Sequence, residues 1–82
     1  MTKQIILYGH NDCIFCVRAK RWLEENGFEY INKDVINEEV RTEFEIYNAV
    51  GIPLFIIKDN GKQTEEKVVG FKESKLRAIL NK

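Results

Sequence analysis

The feature that most constrains the fold is a pair of cysteines, Cys13 and Cys16, placed where one predicted element gives way to the next. Residues 5–8 are apolar and rich in isoleucine, which predicts a strand, and the polar residues 9–12 end it. Over residues 13–26 the apolar positions recur at spacings of three and four, as in an amphipathic helix. Both thiols are therefore expected on the first turn of a helix that directly follows a strand.

The rest of the chain continues this alternation of strands and helices. The first helix is followed by a segment of alternating polarity. Further along the chain come an apolar run typical of a strand buried on both faces and a hairpin turn with its second strand. Strands are expected at residues 5–8, 28–33, 54–57 and 64–69, a turn at 59–62, and helices at 13–26, from 37 and from 74. The order β-α-β-α-β-β-α predicts an α/β fold, a four-stranded mixed sheet with helices on its faces, in which the first two strands are parallel.

Four residues are predicted to mark the ends of the first two helices. Asp12 and Asn37 are the expected N-caps, because a short polar side chain can accept a hydrogen bond from the free backbone N–H groups of the first turn. Gly27 and Gly51 are expected to end the helices. The apolar face of the second helix is expected to hold Val40, Phe44, Tyr47 and Val50.

The charge balance argues against a nucleic-acid-binding protein. The chain has 13 Lys and Arg against 13 Asp and Glu, a formal net charge of +0 at pH 7, so it has no field that attracts phosphates. Its apolar runs are far shorter than the ~20 residues that span a bilayer, and no apolar segment of secretory-signal length precedes the first strand. We expect one domain over residues 1–82, located in the cytoplasm, with no nucleic-acid or membrane partner.

Three uses of the cysteine pair can be weighed. A disulfide between residues three apart closes a very short loop and would constrain the unfolded chain little. Structural zinc takes about four ligands, whereas the chain offers Cys13, Cys16, the single histidine His10 and carboxylates, so a zinc or iron–sulfur site would need a second chain or an external thiol. A dimeric metal-binding module is therefore the alternative, and thiol–disulfide exchange is the favoured function.

The position of the pair assigns a role to each thiol. At the first helical position, Cys13 would lie near backbone N–H groups that stabilise its thiolate. Cys13 would attack a disulfide and form a mixed disulfide, and Cys16, one turn deeper, would displace the reduced partner. We therefore expect Cys13 to be the nucleophile and Cys16 the resolving thiol.

The only proline, Pro53, opens the third predicted strand. One interpretation is a strand-start proline with no functional role. The other is a cis Ile52–Pro53 bond that turns the backbone of Ile52 towards the thiols, as an edge on which an extended substrate could dock.

At these residues the chain resembles a glutaredoxin, within the thioredoxin-fold superfamily. Residues 8–20 are similar to the family's tyrosine, CPYC-like site and Ala-Lys pair, residues 51–53 fall where the family has Thr-Val-Pro, and residues 69–71 where it has a Gly-Gly turn. The resemblance implies a cis Pro53, no tightly bound cofactor, no metal, and a monomer that takes electrons from glutathione and reduces disulfide-containing proteins, ribonucleotide reductase among them. The substrate-binding residues it implies are His10, Phe15, Ile52, Pro53, Gly70, Phe71 and Lys72.

Three departures from the family pattern bear on the electron source. Ile14 replaces the proline of CPYC, His10 stands where a lysine or arginine often holds the glycine carboxylate of glutathione, and Lys72 stands where an acidic residue often meets its amino group. Phe71 and Lys72 instead resemble the glutaredoxin-like redoxins that serve ribonucleotide reductase and are recharged by thioredoxin reductase. A redoxin of that kind is the alternative within the same enzyme class.

Overall fold

The computed structural model describes residues 3–81. Met1, Thr2 and Lys82, the ends of the predicted domain, lie outside the described residues. The strands are β1 (Lys3–Gly9), β2 (Ile31–Asp34), β3 (Leu54–Asp59) and β4 (Thr64–Val69), and the helices are α1 (Ile14–Glu25), α2 (Glu38–Ile46) and α3 (Glu73–Leu80). The sheet has the order β2-β1-β3-β4, with β1 parallel to β2 and the other pairs antiparallel. The predicted element order and the mixed four-stranded sheet are confirmed.

The core lies on both faces of the two central strands, because side chains alternate along β1 and β3. On one face Leu7 and Phe55 pack with Leu23 of α1 and Leu76 of α3. On the other face Tyr8 belongs to a smaller cluster, against which Val40 and Phe44 of α2 pack. Residues 54–57 are buried, as their continuous apolar run predicts.

The register of the sheet brings three chain segments to one end. Tyr8 near the end of β1 lies opposite Leu54 at the start of β3, and Leu54 lies opposite Val69 at the end of β4. The backbone N–H of Gly70 donates to the carbonyl of Pro53, with the two atoms 2.8 Å apart. The turn after β1, the loop before β3 and the loop after β4 are therefore neighbours.

Two predicted boundaries near α1 are wrong. The N-cap is Cys13 and not Asp12, and the helix begins at Ile14, because the Cys13 sulfur accepts the hydrogen bond that a capping side chain accepts. The C-terminal prediction is confirmed: Asn26 is the C-cap and Gly27 follows with a φ of 74°, in the left-handed region that glycine adopts readily.

The second strand begins three residues later than predicted, at Ile31. Phe28 instead stacks on Trp22, with 5.8 Å between ring centroids, and the Tyr30 hydroxyl donates to Glu24 at 2.7 Å. These contacts hold residues 28–30 against α1 and delay the pairing with β1. Residues 28–30 do alternate in polarity, but they form a loop that packs on α1 and not part of a strand.

The second helix begins as predicted and ends earlier. The Asn37 side chain accepts hydrogen bonds from the backbone N–H groups of two residues of the first turn. The helix ends at Ile46 and not at Gly51, since Asn48 takes the left-handed conformation with a φ of 53°. Val50 is therefore not on the apolar face, and 96% of it is exposed. The last helix begins at Glu73, one residue before the predicted Ser74.

Candidate active site

The two cysteines differ in exposure and in backbone environment. Cys13 is partly exposed and has extended backbone torsions, and its N–H donates to the carbonyl of His10 across a turn, with a separation of 3.1 Å. The backbone N–H of Cys16 donates to Cys13 Sγ at 3.3 Å. Cys16 is fully buried. Both thiols are free in this structure.

The surroundings of Cys16 favour its protonated form. Burial chiefly, and then the hydrogen bond and charge of Cys13, raise the pKa of the Cys16 thiol to about 11. Hydrogen bonding from the backbone of His10 and the positive charge of Lys20 act in the opposite direction. Cys16 therefore ionises readily only when neighbouring groups stabilise its thiolate.

A groove of about 230 Å³ lies on the side of the cysteines where the loops meet. Phe15, which follows Cys13 on the same turn, is 53% exposed and forms one wall. The Ile52–Pro53 bond, which the resemblance implied to be cis, is cis. The groove is lined by Phe15, Ile52, Pro53, Gly70, Phe71 and Lys72. Six of the seven predicted substrate-binding residues thus share one surface, and Lys72 is the charged residue among them.

His10, the seventh predicted residue, does not line the groove. Its ring lies between two carboxylates, with Nδ1 3.1 Å from Asp34 and Nε2 3.4 Å from Asp12. The hydrogen bond with Asp34 is the main cause that raises the pKa of His10. The pKa of Asp34 is lowered, first by the backbone N–H of Ile36 and then by His10. A substrate-binding role for His10 stays a prediction.

Three contacts near the cysteines were not predicted from the sequence. Asp34 at the end of β2 holds His10, and Gly9 lies against Cys16. The sequence signal for the second contact was Gly9 itself, a glycine directly before the polar turn and the cysteine pair. The guanidinium of Arg18 also lies over the Phe15 ring, 5.8 Å from its centroid.

Across residues 3–81 the structure contains no group of three or more His, Cys, Asp or Glu side chains arranged to hold a metal ion. None of the helices within that range is long and apolar enough to cross a membrane.

Comparisons with known proteins agree with this geometry. The thioredoxin-like protein BC3987, solved as a point mutant, has a TM-score of 0.76 and 30% identity, and the alignment covers 94% of each chain. Glutaredoxin 1 from Francisella tularensis, solved in complex with cacodylate, has a TM-score of 0.67 and 28% identity over 99% of this chain and 100% of that one.

A curated relative matches a shorter part of the chain. The global transcriptional regulator Spx 2 from Bacillus cereus is 39% identical over 36 residues, which are 44% of this chain and 28% of the regulator. The chain therefore spans little more than a quarter of that relative's length.

The family model for glutaredoxin matches residues 5–61. That range is more than half of the chain, and it contains both cysteines and the cis proline. With the mixed sheet and the three helices in the thioredoxin arrangement, the chain belongs to the glutaredoxin family.

Proposed function

We propose that the chain reduces protein disulfides and glutathione mixed disulfides by dithiol exchange, with Cys13 as the nucleophile, Cys16 as the resolving thiol and glutathione as the reductant. The observation that carries the proposal is the contrast between the two thiols. Cys13 is accessible and its sulfur already accepts a backbone N–H, whereas Cys16 is buried one turn deeper.

The first step uses the cap of α1. The Cys13 thiolate attacks a substrate sulfur, forms a mixed disulfide and releases the other sulfur of the substrate as a thiolate. The N–H of Cys16 that points at Cys13 Sγ stabilises the negative sulfur before the attack, since a hydrogen bond to a charged acceptor is stronger than one to a neutral acceptor.

The second step depends on a change that the first step makes. In the mixed disulfide Cys13 carries no thiolate charge, so the contribution of that charge to the raised pKa of Cys16 is lost. The His10 backbone and Lys20 still favour the Cys16 thiolate. Cys16 then attacks Cys13 Sγ, releases the reduced substrate and leaves a Cys13–Cys16 disulfide, which two molecules of glutathione reduce.

The groove beside the thiols supports a peptide-like substrate. It is largely apolar, and the exposed ring of Phe15 and the loops that carry Ile52 and Gly70 line it. Such a groove can accept the extended backbone of glutathione or of a protein segment that carries a cysteine. We place glutathione here, against the backbone of Ile52 and the side chains of Phe71 and Lys72.

Two serine variants test the assigned roles. We expect Cys13→Ser to abolish the reduction of every disulfide, because the attacking sulfur is gone. Cys16→Ser should accumulate mixed disulfides and should keep some activity on glutathionylated substrates, since a second glutathione can release Cys13 directly. Mass spectrometry of the trapped adducts and rates of reduction are the measurements. Equal loss of all activities, with no adduct on Cys16→Ser, would contradict the proposal.

A second candidate has its own observation. The charged residue that lines the groove is Lys72, a cation where glutathione presents its amino group in the implied binding mode. A redoxin recharged by thioredoxin reductase and donating electrons to ribonucleotide reductase would not need that contact. Reduction of the oxidised protein by glutathione alone, compared with reduction by NADPH and thioredoxin reductase, separates the two candidates: faster reduction by the flavoprotein favours the redoxin.

A further inference from the structure

Gly9 lies closer to Cys16 than any side chain at its position would permit. It continues the alternation of Ile5 and Leu7 on the face of β1 that packs against α1. A Cβ at Gly9 would be 2.9 Å from Cys16 Sγ and 3.1 Å from Cys16 Cβ, distances at which something must move. The other glycines differ: a Cβ at Gly51 would meet nothing within 4 Å, and one at Gly61 would meet Asp59 at 3.4 Å.

We infer that Gly9 is a positioning residue for the second exchange step: the absence of a side chain lets the end of β1 approach α1, and this approach sets the place from which Cys16 Sγ attacks Cys13. The inference rests on the proposed function, in which Cys16 is the resolving thiol. It adds a residue of β1 to the reaction and predicts which of the two steps that residue controls.

The end of β1 is fixed, so a side chain at Gly9 would displace Cys16 and not the strand. The carbonyl of Gly9 accepts the N–H of Val35 at 3.0 Å, and Gly9 pairs with Asp34 in the sheet. The next residue, His10, is held through its ring by Asp34, and its carbonyl accepts the N–H of Cys13. These contacts tie the Gly9–His10 peptide to β2 and to the start of α1.

Displacement of Cys16 would weaken the second step for an electrostatic reason as well. The His10 backbone is among the groups that favour the Cys16 thiolate, in a site where burial opposes ionisation. A sulfur pushed away from β1 lies farther from the His10 backbone, which favours its thiolate, and ionises less. Cys13 keeps its own donor, the N–H of Cys16, because both belong to the same helical turn. The first step should therefore be little affected.

The test uses a symmetrical nitrobenzoate disulfide whose thiolate product absorbs visible light. The Cys13 thiolate breaks the reagent disulfide, forms a mixed disulfide and releases one coloured thiolate. Cys16 then loses its proton to solvent, attacks Cys13 Sγ and releases the second coloured thiolate, so that the protein dithiol is oxidised by two electrons and the reagent is reduced by two. Stopped-flow absorbance resolves the two releases as separate rate constants.

We expect Gly9→Ala to slow the second release on the order of ten-fold, since overpacking of a tight contact is costly, and to change the first release by less than about two-fold. Gly61→Ala, the same chemical change in the β3–β4 turn, should alter neither. Unchanged or faster second release in Gly9→Ala, or equal slowing of both releases, would overturn the inference. If Cys16→Ser still gave both releases, the proposed roles of the thiols would fail instead.

A thermodynamic cycle keeps the inference testable if Gly9→Ala folds poorly. Cys16→Ala removes the sulfur that the new Cβ would meet at 2.9 Å. We therefore expect Gly9→Ala to lower the free energy of unfolding less in the Cys16→Ala background than in the wild-type chain, measured with urea at equilibrium. Equal destabilisation in both backgrounds would show that the contact with Cys16 Sγ is not the cause and would overturn the inference.

Discussion

Charge reversal at Lys72 is the sharpest test of glutathione as the electron source. Lys72 is exposed at the start of α3, where it is the N-cap residue but makes no side-chain capping hydrogen bond. It also lines the groove. In the implied binding mode the glutathione ammonium would face this lysine, so the wild-type protein has a repulsion where a carboxylate would give an attraction.

The exposure of Lys72 sets the magnitude. An ion pair between solvent-exposed groups is worth roughly 0.2 to 1 kcal/mol. Lys72→Asp removes one repulsion and adds one attraction, each near the upper end of that range in a groove, which together give about 1 to 2 kcal/mol, or about five- to thirty-fold in affinity. Lys72→Ala removes only the repulsion, so about two- to five-fold is expected.

The assay is the glutathione concentration that gives half the maximal rate of reduction of a glutathione mixed disulfide. We expect it to fall for Lys72→Asp and to fall less for Lys72→Ala. Lys75→Asp is the matched control, because Lys75 is exposed on the same helix and does not line the groove. If Lys72→Asp leaves the requirement unchanged and instead impairs coupling to thioredoxin reductase, the groove is not a glutathione site and the redoxin candidate replaces it.

Two further predictions concern the turn before α1. Asp34→Asn should lower the pKa of His10, which NMR titration of the single histidine can follow. The hydrogen bond with Asp34, and then the charge of Asp34, raise that pKa, so the stabilisation from this pair is present at low pH and is lost as the pH rises through the folded-state pKa of His10. A variant whose stability keeps the same pH dependence would contradict the pairing. Cys13→Ala should lower the free energy of unfolding by about 0.5 to 1 kcal/mol through loss of the N-cap, whereas Cys13→Ser should retain it, and a larger loss for Asp12→Ala would restore Asp12 as the cap.

The sequence predicted the order of elements because the periodicity of apolar residues reports which faces are buried. Residues 54–57 of β3 are apolar at consecutive positions, and both faces of this part of the strand are covered. The sequence did not predict where β2 begins. The polarity of residues 28–30 alternates because these residues pack on Trp22 and Glu24 of α1, and not because they pair with a neighbouring strand. Nor did it predict that Asn48, and not Gly51, takes the left-handed conformation after α2.

The candidate site was predictable where it depends on short motifs. The cysteine pair, the proline and the residues after β4 are recognisable by type and spacing, and the sheet register brings their segments together. The contact between His10 and Asp34 was not predictable. Asp34 lies at the end of β2, so this contact depends on how β2 pairs with β1. The sequence also did not show whether Asp12 or Cys13 is the N-cap of α1, because that depends on the backbone geometry of the turn before the helix.

The environment of Cys16 limits the return reaction as well as the forward one. A thiolate that reduces the Cys13–Cys16 disulfide must attack Cys13, because Cys16 is fully buried, and it must then expel Cys16. Exchange is slower when the leaving thiol has a higher pKa, and burial raises the pKa of Cys16. The groups that favour its thiolate, the His10 backbone and Lys20, therefore assist the attack of Cys16 in one direction and its departure in the other. By this reasoning the close approach of Gly9 influences how fast any reductant, glutathione or a flavoprotein, can recharge the protein.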